Sequence, residues 1–303
     1  MSDFTRFQQN IGDLLPEIEL RFHEPMSKHT SLRIGGGAEV MAFPKSTVEL
    51  ANILHACASL GIKPAVLGAG TNVLAPDAGI VGMVICLKDC LSGMEPIGQC
   101  AIRVAAGVTM TRAAVFAANL GLSGLEFAHG IPGTVGGGVY MNAGAYGGEI
   151  CQVCKWVEVM DLQGKLSTFS AEDMAFSYRH SILEDTGPIV GRATFQLTPK
   201  PTEEIKATMK ELMAKRSASQ PLDLPSAGSA FKRPMGGYAA ALIDQSGLRG
   251  FQVGGAAIST KHAGFAVNLG GATAEDVKSL LTQVSNIVFE RFAIRLEPEI
   301  RIW

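Results

Sequence analysis

Two kinds of apolar pattern alternate along this chain. Apolar residues three and four positions apart predict amphipathic helices at VELANILHACASLG (48–61), TMTRAAVFAANLG (109–121) and AEDVKSLLTQVSNIVFERF (274–292). Short apolar runs bounded by glycine or turn residues predict strands at AVLG (65–68), IVGMVICL (80–87), AIRVAAG (101–107) and PIVGRATFQL (188–197). KWVEVMDLQGKLSTF predicts a hairpin that turns at Gln163 and Gly164, and either Ser46 or Thr47 is a suitable cap for the first helix. The mixture predicts an α+β fold.

The pattern is interrupted near residue 200. Pro199 and Pro201 bracket a break, and residues 202–219 follow as one predicted helix with a charged, solvent-facing side. A chain of 303 residues is long enough for two domains. We therefore predict one domain at 1–200, with its core at about 30–198, and a second at 201–303.

The stretch HGIPGTVGGGVYMNAGAYGG (129–148) fits neither pattern. Eight of its twenty residues are glycine, and it contains no Lys, Arg, Asp or Glu. Its apolar and aromatic residues argue against a flexible linker, which would be polar. Glycine lets a backbone approach a ligand closely, so we interpret the stretch as an ordered cradle whose amide groups face an anion. The alternative is a tightly packed crossover loop.

A second glycine turn, GAGTNV (68–73), invites comparison with the Rossmann fingerprint. It follows a strand, and Asp89 lies about twenty residues further on. However, Val73 stands where the third glycine belongs, and the turn-forming residues after it forbid the long helix that would receive a pyrophosphate. Together with a third turn at 35–37, the glycine turns indicate a long ligand such as a dinucleotide, held by backbone dipoles rather than by basic side chains.

Composition excludes several classes of protein. A formal net charge of −2 gives no reason to expect nucleic acid or an anionic membrane as a partner. The N-terminus lacks a secretory apolar region, no run of eighteen apolar residues is present, and six cysteines in a chain of this size do not make a disulfide framework. We therefore predict a cytoplasmic location. Cys151 and Cys154 form a single CxxC, which is a weak zinc signal, so no metal is predicted.

Several motifs resemble known families. The order helix, AVLGAGTN, two strands, helix and GIPGTVGGGVYMNAGAYG resembles the FAD-binding domain of the vanillyl-alcohol-oxidase type of flavoprotein. The motifs GIPGTVGG, NAGAYGGE, SYRHS, AGSAFKRP, STKHAGFAVN and LEPEIRIW together resemble the bacterial UDP-N-acetylenolpyruvoylglucosamine reductase family, from about Thr30 to the C-terminus. The chain is similar to the shorter class, which lacks an insertion with a substrate-covering tyrosine. The resemblance implies a two-part FAD-binding domain followed by a C-terminal α+β substrate domain.

The resemblance also implies an activity. The family reduces UDP-N-acetylglucosamine enolpyruvate to UDP-N-acetylmuramate in peptidoglycan precursor synthesis; NADPH reduces FAD, and flavin N5 then gives a hydride to the substrate. Arg179 would hold the carboxylate and its enolate, Ser229 would donate the proton, and Glu299 would share the stabilising network. Taken alone, these residues are more often a surface ion pair, a turn hydroxyl and a structural ion pair.

Two further sets of residues are implied. Non-covalent FAD is assigned to Gly68, Gly70, Thr71, Asn72, Gly130, Ile131, Pro132, Gly133, Thr134, Gly136, Gly137, Asn142, Gly144 and Ala145. The UDP-sugar is assigned to Tyr178, Lys232, Arg233, Lys261 and His262, although many relatives carry Asn in place of Arg233. A monomer is expected, without nucleic-acid or membrane partners.

Three alternatives stay open on the residues. An FAD oxidase acting on a sugar or alcohol would share the glycine turns but would not need Arg179, Ser229 and Glu299 together. A non-catalytic protein would bind FAD or a UDP-sugar without turnover. A zinc protein built on CQVC ranks below both.

Overall fold

The structure is a computed structural model that describes residues 10–303. Residues 10–14 are helical. The longer helices and the short ones are, in chain order, α1 (Thr47–Ser59), α2 (Met110–Asn119), α3 (Val135–Tyr140), α4 (Leu183–Thr186), α5 (Thr202–Ser219), α6 (Ala239–Gln245) and α7 (Ala274–Phe292). One-turn 3-10 helices lie at Met26–Lys28, Glu126–Ala128 and Ile150–Gln152.

The strands are short and mostly separated by turns. They are β1 (Glu19–Pro25), β2 (Gly37–Phe43), β3 (Ala65–Leu67), β4 (Val73–Leu74), β5 (Ile80–Cys86), β6 (Met94–Ile97), β7 (Ala101–Ala105), β8 (Leu122–Ser123), β9 (Gly144–Ala145), β10 (Gly148–Glu149), β11 (Cys154–Met160), β12 (Leu166–Ser170), β13 (Ile189–Gln196), β14 (Thr198–Pro199), β15 (Ser226–Ser229), β16 (Gln252–Val253), β17 (Ala256–Ile258), β18 (Phe265–Asn268) and β19 (Arg301–Ile302). The predicted mixture of helices, strands and hairpins is confirmed.

The chain forms two compact units, and each is built from more than one segment. Of the described residues, the first unit contains 10–23, 39–69 and 81–214, and the second contains 24–38, 70–80 and 215–303. Short insertions therefore pass from the N-terminal part of the chain into the second unit. The division into domains at residue 200 stays a prediction.

The first unit contains two larger sheets and two short two-stranded ones, β9–β10 and β8–β14. One larger sheet has the order β1-β2-β5-β3, with β3 parallel to β5, and the other has the antiparallel order β12-β11-β13-β7-β6. The β11–β12 hairpin turns at the predicted position, where Gly164 has φ +80°. Helix α1 begins after Ser46, whose hydroxyl accepts a hydrogen bond from the Glu49 amide at 3.1 Å, so Ser46 and not Thr47 is the cap. One core joins α1, α2 and both larger sheets.

The second unit is a four-stranded sheet, β15-β18-β17-β16, packed with helices α6 and α7. Its core includes Leu32, Ile34 and Leu74, which come from the two short insertions. Asp77, also from an insertion, accepts a bifurcated hydrogen bond from the amide of Ala274 at the start of α7, with 2.9 Å to each carboxylate oxygen. The parallel pairing of β19 with β4 joins the end of the chain to the 70–80 insertion. Within residues 10–303, no helix is long and apolar enough to cross a membrane.

Candidate active site

The glycine-rich stretch combines close packing with open backbone donors. A Cβ atom on Gly136 would lie 2.9 Å from the Ala106 Cβ, and one on Gly138 would lie 2.8 Å from the Met110 sulfur, so a larger residue at either position would force its neighbour to move. At Gly137, a Cβ would meet only the Thr134 hydroxyl, at 3.6 Å. Close packing at Gly136 and Gly138 is what a tightly packed crossover loop would show. The open space at Gly137, between them, is compatible with a ligand cradle.

The segment that precedes α3 carries amide groups without acceptors. Val135 donates to the Val108 carbonyl at 2.8 Å, and the Gly133 carbonyl accepts from the Met110 amide at 2.9 Å, which fixes the backbone. Between these anchors, the amides of Gly133 and Thr134 have no hydrogen-bond acceptor within the described residues, and the same is true of Gly130. Fixed, unsatisfied amides of this kind are suited to an anion such as a phosphate.

The turn after β3 approaches the same point. A Cβ atom on Gly68 would collide with the hydroxyl of Thr134, so the backbone of Gly68 lies directly against that side chain. The amides of Gly68 and Ala69 also lack acceptors in the part of the chain that the structure describes. Two of the predicted FAD-binding turns thus converge on Thr134, and their donors suit the pyrophosphate of FAD without requiring Lys or Arg.

The remaining glycine residues, in the turns at 35–37 and 70–72, lie in the second unit and pack against other segments of that unit. Gly70, at φ +61°, leaves no space for a Cβ atom, because that atom would collide with the carbonyl oxygen of His29. Gly36 donates to the Pro76 carbonyl at 2.9 Å. The amides of Gly70, Thr71 and Asn72 have no acceptor within residues 10–303.

Arg179 lies at the tip of a tight turn in the first unit. Ser177 and His180 exchange two backbone hydrogen bonds of 3.1 and 3.2 Å, which leaves Tyr178 and Arg179 as the central pair. Arg179 has φ +56°, a left-handed conformation that is unfavourable for a residue with a Cβ atom. Its guanidinium donates to the Gly144 carbonyl at 3.1 Å and lies 5.0 Å from the Tyr178 ring centroid. A strained backbone at a polar, half-buried side chain is typical of functional positions.

Ser229 and Glu299 are neighbours in the second unit. The amide of Glu299 donates to the Ala230 carbonyl at 2.9 Å, and the amide of Lys232 donates to the Glu297 carbonyl at 2.8 Å. The C-terminal segment therefore pairs with the residues directly after Ser229. Ser229 is exposed at the end of β15, next to Gly228 at φ +76°, and Glu299 is half-buried.

A predicted cofactor residue joins this pair. The side-chain amide of Asn72 donates to the Glu299 carbonyl at 3.2 Å, and the Asn72 carbonyl accepts from the Arg301 amide at 2.9 Å. The tertiary structure thus brings residues 72, 229 and 299 into one region of the second unit. Nothing in their spacing along the chain indicates this.

The predicted substrate residues have varied surroundings. Lys232 forms an ion pair with Glu297, and the Arg233 guanidinium stacks 4.4 Å from the Tyr238 ring centroid. Lys261 donates to the Ser217 carbonyl at 2.7 Å. Burial lowers the pKa of His262 below its ordinary value, which keeps the ring neutral near pH 7.

Two glutamates at these sites, Glu149 and Glu297, were not predicted from the sequence. Glu149 accepts a hydrogen bond from Asn142, and Glu297 pairs with Lys232. The signal for Glu149 lies in NAGAYGGE, where β9 and β10 bring the first and last residues together. Glu297 has no comparable signal, because its partner is 65 residues away along the chain.

The CxxC does not form part of a larger ligand cluster. Burial raises the pKa of the Cys154 thiol to about 12, which disfavours the thiolate that a zinc ion needs. Among residues 10–303, no group of three or more His, Cys, Asp and Glu side chains is arranged to hold a metal ion.

Two family models match the chain. Residues 38–170 match the FAD binding domain, and residues 220–303 match the UDP-N-acetylenolpyruvoylglucosamine reductase C-terminal domain. The two matches cover the glycine-rich stretch and the region of Ser229 and Glu299.

Curated proteins and a solved structure extend these matches to nearly the whole chain. The UDP-N-acetylenolpyruvoylglucosamine reductase of Agathobacter rectalis is 44% identical over 98% of this chain and 98% of its own length. The enzyme of the same name from Lactobacillus acidophilus is 45% identical over 94% and 95%. The crystal structure of UDP-N-acetylenolpyruvylglucosamine reductase from Thermus caldophilus is 36% identical, with a TM-score of 0.78 over 95% of this chain and 99% of that one.

Proposed function

The chain belongs to the UDP-N-acetylenolpyruvoylglucosamine reductase family, and on that premise we propose that it reduces UDP-N-acetylglucosamine enolpyruvate to UDP-N-acetylmuramate with NADPH. The observation that carries the proposal is the pairing of the C-terminal segment beside Ser229, which makes Ser229 and Glu299 neighbours. An oxidase of the same fold has no need for a proton donor beside a carboxylate.

Family membership confirms the coarser predictions. The resemblance, the FAD-binding domain with its C-terminal α+β domain, the cofactor FAD and the oxidoreductase class are confirmed. A cytoplasmic location and a monomeric state stay predictions, as do the individual site residues.

When bound, FAD supplies the hydride chemistry, and the protein supplies placement, charge and a proton. The converging amides of Gly133, Thr134 and Gly68 suit the cofactor's pyrophosphate. We assign NADPH as the reductant of the flavin.

Arg179 is proposed to stabilise the negative charge that develops on the enolate of the substrate carboxylate. Its guanidinium presents several N–H donors in a fixed planar geometry. Donors that are already in place need no reorganisation when the charge develops. The left-handed turn and the bond to Gly144 restrict the position of those donors.

Ser229 is proposed to donate its hydroxyl proton to the carbanionic carbon. Serine is a weak acid, and it becomes an effective donor only beside a strong base such as an enolate. Glu299 is its close neighbour in the second unit, where a carboxylate would orient the hydroxyl and assist its reprotonation. The UDP-sugar is proposed to contact Tyr178, Lys232, Arg233, Lys261 and His262.

Separate measurement of the two half-reactions tests this proposal. We expect purified protein to be yellow, NADPH to bleach it without oxygen, and UDP-N-acetylglucosamine enolpyruvate to restore the colour. Ser229→Ala should leave flavin reduction intact and slow product formation about 10²- to 10⁴-fold, the range for loss of a general acid. Ser226→Ala, on the same strand, is the matched control and should behave as wild type.

Two results would contradict the proposal. A flavin that only oxygen reoxidises would indicate the oxidase. Unchanged turnover in Ser229→Ala would remove Ser229 from the reaction while leaving the family assignment intact.

A further inference from the structure

The side chain of Asn142 is buried and fully engaged within the first unit. It is 1% exposed and has φ +42°, a conformation that asparagine tolerates better than most residues. Its Nδ2 donates to the Ser177 carbonyl at 3.0 Å and to Glu149 Oε2 at 3.1 Å, and its Oδ1 accepts from the Cys151 amide at 3.0 Å. Both amide protons are therefore used by the protein.

The Ser177 carbonyl belongs to the turn that presents Arg179. That carbonyl also accepts the His180 amide at 3.2 Å, one of the two bonds that close the turn. Left-handed backbone at a residue such as Arg179 is unfavourable, so the turn needs support from its surroundings. Asn142 provides this support directly at the first residue of the turn.

The Arg179 guanidinium is held by the same segment. It donates to the Gly144 carbonyl, two residues after Asn142. Gly144 is itself packed tightly, since a Cβ atom there would lie 2.8 Å from the Glu149 Cβ. Residues 142–144 therefore hold both ends of the arginine: Asn142 bonds to the base of the turn, and Gly144 bonds to the guanidinium.

Glu149 helps to determine which way the Asn142 amide faces, together with the Ser177 carbonyl and the Cys151 amide. A carboxylate accepts hydrogen bonds and an amide N–H donates them, so Nδ2 must face Glu149 while Oδ1 faces the Cys151 amide. A hydrogen bond from the Cys151 thiol to the same carboxylate contributes, after burial, to raising the pKa of that thiol. In this orientation the second amide proton points to Ser177.

We propose that Asn142 is a positioning residue, oriented by Glu149, that holds the Ser177–His180 turn and so places the Arg179 guanidinium for the reaction. This assignment rests on the proposed function of Arg179. It differs from the sequence-based assignment of the Asn142 side chain to FAD, and the two make different predictions.

The substitution Asn142→Asp tests the proposal because it keeps shape and suits φ +42° while removing the donor to the Ser177 carbonyl; a proton that the buried carboxyl retains would be shared with Glu149. It sets a carboxylate against the Ser177 carbonyl and Glu149. We expect reoxidation of reduced flavin by UDP-N-acetylglucosamine enolpyruvate to slow about 10- to 100-fold, the effect of misplacing a reacting group by about 1 Å. Flavin reduction by NADPH and the FAD content should remain within about twofold of wild type.

A double-substitution cycle shows whether Asn142 acts through Arg179. Flavin reoxidation in the double variant Asn142→Asp with Arg179→Lys should be no more than about twofold slower than in Arg179→Lys alone. The guanidinium that Asn142 would position is already absent from Arg179→Lys, so the loss of Asn142 should add little. If instead the rate loss of the double variant equals the product of the losses in the two single variants, the proposal is overturned.

Amide hydrogen exchange measures the stability of the Ser177–His180 turn without any substrate. The amides of Ser177 and His180 should exchange at least about tenfold faster in Asn142→Asp. Lys155→Ala is the control: Lys155 is an exposed residue of the same unit whose side chain contacts Gln196 and not the turn, so exchange and reoxidation should match wild type.

The outcomes separate this proposal from the proposed function. If wild-type flavin is not reoxidised by the UDP-sugar, the proposed function fails, and the exchange rates still decide whether Asn142 holds the turn. If wild type turns over and Asn142→Asp has unchanged exchange and reoxidation, only the positioning role fails. Loss of FAD with normal reoxidation after reconstitution would overturn the positioning role in favour of cofactor binding.

Discussion

The two units hold their candidate catalytic residues by different means. In the first unit, Arg179 lies in a strained turn, and side chains provide much of its support through Asn142 and Glu149. In the second unit, Ser229 and Glu299 are placed by backbone pairing between the end of the chain and residues 230–232.

The difference follows from the chemistry that we propose for each residue. A guanidinium acts at the end of a long, flexible side chain, so both its backbone and its tip need to be fixed. A serine hydroxyl is one atom from Cβ, and therefore the strand that carries it already determines its position. Backbone pairing is sufficient for Ser229, whereas Arg179 needs a supporting network.

The largest expected effect is in the second unit, where glycine packing supports the 70–72 turn. Gly70→Ala places a Cβ atom against the His29 carbonyl at φ +61°, and we expect a loss of about 3–5 kcal/mol in the free energy of unfolding. Denaturant unfolding measures this loss. Gly147→Ala in the first unit is the matched control, since Gly147 has φ +87° but nothing within 4 Å of the added atom; about 1 kcal/mol is expected there. Equal losses would show that backbone conformation alone, and not the His29 contact, explains Gly70.

A smaller effect should reveal the strain at Arg179. Arg179→Gly and Arg179→Ala both remove the guanidinium, so both should abolish most turnover. Glycine adopts positive φ without penalty, and Arg179→Gly should therefore be about 1 kcal/mol more stable to unfolding than Arg179→Ala. Thermal unfolding of the two variants measures the difference. A less stable glycine variant would mean that the left-handed conformation is not a source of strain.

The smallest effect concerns His262 and depends on pH. Its Nδ1 accepts from the Gly264 amide at 3.1 Å, and the Gly264 carbonyl accepts from Ala230, next to Ser229. Burial, followed by a smaller effect of Arg249, lowers the pKa of His262 in the folded protein. The unfolded chain thus binds the proton more readily, so this contribution to stability is present above the ordinary histidine pKa of about 6.5 and is lost as pH falls below it.

His262→Asn should flatten that pH dependence. Its side-chain oxygen can accept the Gly264 amide but has no proton to bind near neutral pH. Unfolding by urea at several pH values between 7.5 and 5.5 measures the slope. His55→Gln, at an exposed histidine of the first unit, should keep the wild-type slope. An unchanged slope in His262→Asn would assign the pH dependence to other groups.

Sequence patterns predicted the regular elements well where local rules apply. Helix α1, helix α7 and the β11–β12 hairpin follow from apolar spacing, a capping hydroxyl and a glycine turn, all of which act within a few residues. The choice between Ser46 and Thr47 as a cap was open until the backbone was known. Glu149 and Glu297 were missed because their partners are brought close only by strand pairing.

By itself, the sequence determined the glycine turns, the α+β class and, through its motifs, the family. These features depend on local conformational preferences and on residue identity, both of which are written along the chain. Only the tertiary structure decided that Gly68 meets Thr134, that residues 24–38 and 70–80 join the second unit, and that Asn142 supports the Arg179 turn. Such contacts form when distant segments bury their apolar faces together, and the hydrogen bonds between those segments are satisfied afterwards by whichever groups have become neighbours.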